Sequence, residues 1–153
     1  MTPRSRLSGI AAVEMAIVLP IVLLLLVPVT ELGRVFIQYS RLVHRVEAGA
    51  RFVADNAYQG STGVPVLTDA VRDQARRLVV YGSTRSPAID PPAVPQLAPA
   101  NIAISVSSDG IVTVSTEYVY QPMVGAVLPM MGFGSDIDIS QLTLRPRAVM
   151  RAL

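Results

Sequence analysis

The chain has 153 residues, 51% of them hydrophobic and 16% charged, and thirteen basic against eleven acidic side chains give a formal net charge of +2. That length allows one modest folded domain once an apolar segment is set aside, and the absence of cysteine excludes disulfides, thiolate nucleophiles and cysteine-ligated metals. Arg4 and Arg6 account for the whole charge excess. The remaining arginines balance the acids and form no basic run with interleaved aromatics, which argues against nucleic acid as a partner.

Behind a basic leader ending in Gly9, the run from Ile10 to Val29 is apolar except for Glu14, and Met15 to Val29 is uninterrupted. This reaches the roughly 20 residues that a spanning helix needs, so one transmembrane helix is expected. A cleaved secretory signal has a similar leader and apolar core, but Thr30-Glu31-Leu32-Gly33-Arg34 offers no small-x-small cleavage site. Arg4 and Arg6 compete with Arg34, Arg41 and Arg45, so flanking charge does not fix the orientation. A long polar head translocates largely regardless of its charge, which sets the N-terminus in the cytoplasm and the head outside.

An ionised side chain at membrane depth costs at least roughly 2.5 to 3.5 kcal/mol, so Glu14 requires a partner or a purpose. A cut after Gly9 would supply one, because Ile10 would then carry an amino group one helical turn from Glu14 or facing the Glu14 of a neighbouring subunit. The alternative is a tolerated acid near the edge of an uncut anchor. Pro20 and Pro28 free the carbonyls of Ala16 and Leu24 and are expected to kink the span. Neighbouring helices can satisfy such carbonyls where lipid cannot, although an ordinary kinked anchor has the same prolines.

The helical period continues beyond the span through Val35, Tyr39, Leu42, Val46, Gly49, Val53 and Ala57, predicting a helix from about Ile10 to Asn56 that Gly60, Gly63 and Pro65 then end. Gly33 joins these positions as a stem-packing candidate. Gln38, Arg41 and Arg45 mark the polar face, and Glu47 to Arg51 is an i,i+4 pair in the favourable order. A second helix is predicted over Asp69 to Tyr81, with Thr68 as N-cap, Gly82 as stop, and Val71, Ala75, Leu78 and Val79 on one face. Pro87, Pro91, Pro92, Pro95 and Pro99 then predict an extended, semi-rigid connector.

Alternation in Ile102, Ile104 and Val106, and again in Val112, Val114, Thr116, Tyr118 and Tyr120, predicts a hairpin. A three-residue Ser108-Asp109-Gly110 loop opposes Val106 to Val112 and Ile104 to Val114, with Gly110 in the left-handed position of a bulge, whereas a two-residue loop would set Val106 against Thr113. A last strand is expected over about Ile137 to Met150, with a bulge near Ser140-Gln141 and Pro146 favouring an edge. Val124, Val127, Leu128, Met130, Met131 and Phe133 crowd the stretch from Met123 to Phe133. It is read as core closing the sheet, rather than as an exposed patch for subunit contact.

Catalytic chemistry has little support. His44 is the only histidine and stands among Arg41, Arg45 and Glu47 on the stem, which provides neither a metal cluster nor a Ser/His/Asp triad. Asp136 and Asp138 read as strand-edge solubilisers rather than paired catalytic acids. Gly132-Phe133-Gly134 lacks the helix and Lys-Ser/Thr pair of a phosphate cradle. No enzyme activity, metal or cofactor is expected. The fold class is α+β: a long N-terminal membrane-spanning helix packed on a small antiparallel sheet of about three strands, with one additional short helix.

Gly9-Ile-Ala-Ala-Val-Glu14-Met-Ala-Ile-Val-Leu-Pro20, Glu31-Leu-Gly-Arg34 and Glu47-Ala-Gly-Ala-Arg51 together resemble the TadE-like pseudopilins of tight-adherence (Tad/Flp) pili. Val112 to Pro122 is similar to that family's hairpin strand and Leu142 to Arg151 to its tail. The resemblance implies a pilin-like fold and a leader, residues 1–9, removed by a prepilin peptidase, leaving Ile10 as the mature terminus and Glu14 as its fifth residue. It also implies a membrane half of the helix over 10–30, an extracytoplasmic half over 31–56 and a head over 57–153. The implied partners are membrane lipid, the peptidase, other pilin-like subunits and the inner-membrane assembly platform. Met15 departs from the aromatic residue that commonly follows the acid, and Ser8 from the basic residue before the glycine. The other reading is an uncleaved, single-pass anchored scaffold or binding module outside the cytoplasm.

Overall fold

The apolar run and the four-three repeat behind it form one element, α1 (Arg4–Asn56), which continues through Pro20 and Pro28 without interruption. The computed structural model describes residues 4–57, 66–85, 90–123, 125, 127–128 and 135–152, with the side chains of residues 4–8 and 128 left aside. Gly60, Gly63, Pro65 and Pro87 lie outside the described residues. Residues 9–26 are exposed all round the helix, whereas Leu42, Val46, Ala50, Val53, Ala54 and Ala57 are buried. The change has a simple cause: the first half presents apolar side chains on every face, and the second confines them to one stripe.

That stripe receives α2 (Asp69–Tyr81) and the sheet. Thr68 caps α2 by accepting the Val71 N–H at 3.4 Å, and Gly82 ends it in the left-handed conformation with its N–H donating to the Leu78 carbonyl at 2.9 Å. Val71, Ala75, Val79 and Val80 are buried, so Val80 joins the apolar face where Leu78 is only half-buried. Gly49 sits at the closest approach of the layers. A Cβ there would run into Val79, with the Ala75 carbonyl at 3.8 Å and Val114 Cγ1 at 3.9 Å. The connector after α2 also contributes packing: Val94 and Leu97 are buried, and the Ala93 N–H donates to the Val80 carbonyl at 2.7 Å. A 3-10 turn, Pro99–Asn101, leads into the sheet.

β1 (Ile102–Val106) and β2 (Ile111–Thr116) pair antiparallel with Val106 opposite Val112 and Ile104 opposite Val114, the register expected from the three-residue loop. Gly110 has φ 74°, and its N–H donates to the Ser107 carbonyl at 3.0 Å. Arg76 Nε donates to the Ile102 carbonyl at 3.3 Å, tying α2 to β1.

The last strand differs from its expectation. It is divided into β5 (Ile137–Asp138), β6 (Thr143–Leu144) and β7 (Arg147–Arg151), because the parity slip at Ser140-Gln141 is a turn rather than a bulge and Pro146 interrupts pairing again. β7 pairs with β2, completing a three-stranded sheet in the order β1-β2-β7. The run after β2 breaks at Glu117 and continues as β3 (Tyr118–Val119), which pairs with β6, while β4 (Val127–Leu128) pairs with β5. The molecule is thus α+β and pilin-like, a long helix and a short one against a small antiparallel sheet, with two short ribbons toward the lower end of the head.

Candidate functional site

Two regions of α1 carry the features that chemistry must explain. At the N-terminal end, Gly9 lies in the helix with nothing within 4 Å of the position a Cβ would take, so packing within the chain does not require glycine there. Ile10 is 67% exposed, and Glu14 lies on the exposed helix surface among apolar side chains. Glycine costs a helix roughly 1 kcal/mol relative to alanine. Here it occupies a site where alanine would fit.

The second region is where stem meets head. Glu31, the second residue past Val29, is 2% exposed. Its Oε2 accepts the Tyr120 hydroxyl at 2.5 Å and its Oε1 the Met123 backbone N–H at 2.8 Å. A carboxylate removed from water is tolerable only with such donors, and charge-assisted bonds of this kind are about twice as strong as neutral ones. Val35 packs beside Tyr120 and Ile139. Arg34, half-buried, adds positive charge near both Tyr118 and Tyr120. The result is a polar clamp inside an otherwise apolar contact, which fixes where the head meets the helix. It offers no nucleophile or acid-base pair in a cleft.

Burial, the hydrogen bond to Glu31 and the Glu31 charge push the Tyr120 phenol up to about 12, against an ordinary 10.0; Arg34 opposes this. Burial likewise raises Tyr118, again opposed by Arg34. Because the folded state holds the Tyr120 proton more tightly, this contribution to stability is complete below pH 10 and is lost as pH rises toward about 12. A spectrophotometric phenolate titration of the folded protein should therefore contain a step near pH 12 that Tyr120→Phe removes. A wild-type curve that finishes near the ordinary value would contradict the clamp.

Of the stem-packing positions, Leu42, Val46, Gly49 and Val53 are buried and Val35 is half-buried. Gly33 is exposed with nothing within 4 Å of a built Cβ, and Tyr39 is 42% exposed. The buried row passes through Glu31, Val35, Gln38 and Leu42 instead, since the step from Val35 that stays on this face is three residues, not four. Glu31 and Gln38 are thus the residues that apolar periodicity overlooked. The available signal was a lone acid at the foot of the stem together with two alternating tyrosines, Tyr118 and Tyr120, on a buried strand face.

Glu47 approaches His44 Nδ1 at 3.8 Å with both side chains exposed, in place of the expected Glu47–Arg51 pair. His44 lines a cleft of about 370 Å³ with Arg41, Arg45, Pro91, Pro92 and Ala93. Arg45 also lies across Gly82 at the end of α2, a packing role for that side chain. Asp136 and Asp138 are exposed, and hydrogen bonds from the Ser140 side chain and then from its backbone N–H, the latter at 2.8 Å, hold the Asp138 carboxyl below the usual range. In the stretch assigned to the core, Met123 is 74% and Val127 47% exposed, so these two belong to the surface. Val124, Met130, Met131 and Phe133, the Gly132-Phe133-Gly134 loop and the Leu128 side chain lie outside the described residues.

One helix among the described residues is long and apolar enough to cross a membrane. Residues 9–51 match the family model of TadE-like protein, so the region holding Gly9, Glu14, Glu31 and most of the stem is TadE-like. No curated protein and no solved structure matched the chain.

Proposed function

We propose, from the premise of a TadE-like stem, that this chain is a structural pseudopilin, a minor pilin-like subunit of Tad/Flp pilus assembly that supports surface adherence. The observation that carries the reading is the family match over residues 9–51, which takes in the glycine, the acid and the stem together. Residues 1–9 act as a leader cut by a prepilin peptidase at the cytoplasmic face. Residues 10–30 span the inner membrane, and residues 31–56 carry the head, 57–153, outside it.

The mechanism is helix association. An apolar helix exposed on all sides needs lipid or other helices around it, and the acid on that surface needs a cation. The Ile10 amine created by cleavage, on the same or an adjacent subunit, neutralises Glu14 and sets the register of one stem against the next. Pilin-like subunits and the inner-membrane assembly platform are the partners, and no reaction is catalysed.

Glu14→Leu tests this directly. It removes the charge without disturbing the apolar helix, so the protein should remain in the membrane fraction at its normal level. Breaking a charge pair away from water costs about 3 to 5 kcal/mol. Cross-linking to other pilin-like subunits and surface adherence should therefore both fall at least tenfold. Wild-type cross-linking and adherence in Glu14→Leu cells would overturn the mechanism.

A further inference from the structure

The chain after β2 runs down the stem toward the membrane end. Val114 faces Gly49, Tyr120 packs on Val35 and bonds Glu31, and the Met123 N–H reaches Glu31. From Gly49 to Glu31 the helix descends ~27 Å at 1.5 Å per residue. From Val114 to Met123 an extended chain covers ~30 Å. The two lengths agree, so this run lies nearly straight along the stem and ends at its foot.

The foot is the membrane boundary. Glu31 follows Val29 by two residues, and helical side chains lean toward the helix N-terminus. Its carboxylate, and with it the Met123 backbone, therefore stands level with the last apolar turn. Val27 and Pro28 are half-buried, whereas residues 9–26 and Val29 are exposed, as they would be if the head reaches that turn. Met123 itself is 74% exposed and Val127, four residues on, 47%. The sequence from Met123 to Gly134 contains no charged residue.

We infer that the head makes a membrane contact of its own: Met123 rests in the acyl boundary of the bilayer beside the stem, so that the head sits on the lipid surface instead of standing free above it. The occupant is lipid because the Glu31 clamp holds an unshielded apolar side chain at the level where the spanning segment leaves the bilayer. The contact is apolar and does not depend on lipid charge. The inference rests on the reading of residues 10–30 as a membrane span.

Because the chain has no cysteine, single cysteines can be labelled without removing others. Full-length Met123→Cys, Leu19→Cys and Val149→Cys, each carrying an environment-sensitive fluorophore, would be reconstituted sparsely in phosphatidylcholine vesicles with lipids brominated at shallow or deep acyl positions. Met123→Cys keeps the backbone N–H that Glu31 accepts. Its label should be quenched at least fivefold more than that on Val149, an exposed residue of β7, and most by shallow bromines; the Leu19 label should be quenched most by deep ones. Quenching at Leu19 with none at Met123 would overturn the head contact alone. An unquenched Met123 label whose emission shifts with protein density would also overturn it, assigning the patch to another subunit. An unquenched Leu19 would overturn the membrane span and the contact together.

Discussion

Glu31→Ala is expected to destabilise the head on its stem by about 3 to 5 kcal/mol, since it removes two hydrogen bonds to a charged acceptor, each worth about 1.5 to 3 kcal/mol, and leaves the buried Tyr120 hydroxyl and the part-buried Met123 N–H without that acceptor. In detergent micelles, near-ultraviolet circular dichroism would register this as a fall in Tm of more than about 10 °C, at the several degrees per kcal/mol typical of a domain this size. Glu31→Gln discriminates among causes. Its amide oxygen still accepts from Met123, and its NH2 group donates to a reversed Tyr120 hydroxyl, so both bonds persist in neutral form at about half strength. The loss should fall to about 1 to 2 kcal/mol. Equal Tm values for wild type and Glu31→Ala would mean that the clamp does not hold the head.

Gly49→Val should cost about 3 kcal/mol, at the upper end of the range for overpacking a filled site. Val79, which a Cβ at position 49 would strike, is β-branched with one strongly preferred rotamer in a helix, and it stands on an α2 already pressed against the stem. The comparison is Gly33→Ala in the same helix. Nothing lies within 4 Å of that site, so the helix-propensity gain of roughly 1 kcal/mol is uncompensated. Opposite shifts in Tm are therefore expected from two glycines sixteen positions apart. Shifts of the same sign would show that the α1–α2 approach at Gly49 is not the tight contact described.

The contrast also marks which features are legible in the sequence. Local chemistry was readable: the Thr68 and Gly82 caps, the hairpin register fixed by Gly110, and the exposed apolar run are each determined by neighbours within a few residues. The clamp was not. Glu31 and its partners Tyr120 and Met123 are about ninety residues apart, and nothing in either segment alone says that they meet. Tyr39 fits the packing row by period alone because three- and four-residue steps serve equally well until the face that the sheet occupies is fixed. The final strand departs from its expected continuity for a related reason: one slip of parity describes either a bulge or a turn, and β6 is pulled away to pair with β3. At the N-terminal end the open space around Gly9 adds something that sequence alone lacked. It shows that packing within the chain does not require glycine there.

The central claim, that Gly9 ends a leader cut to free Ile10, is tested most directly by the intact mass and N-terminal sequence of the protein extracted from membranes. Three samples suffice: cells with the cognate prepilin peptidase, cells without it, and cells with it expressing Gly9→Val. Nothing crowds the side chain introduced at position 9, so that variant should remain folded and membrane-bound. The account predicts an Ile10 terminus in the first sample only. An intact Met1 or Thr2 terminus in all three would contradict it and leave an uncut membrane anchor, and a terminus beyond Val29 would mean a secreted head.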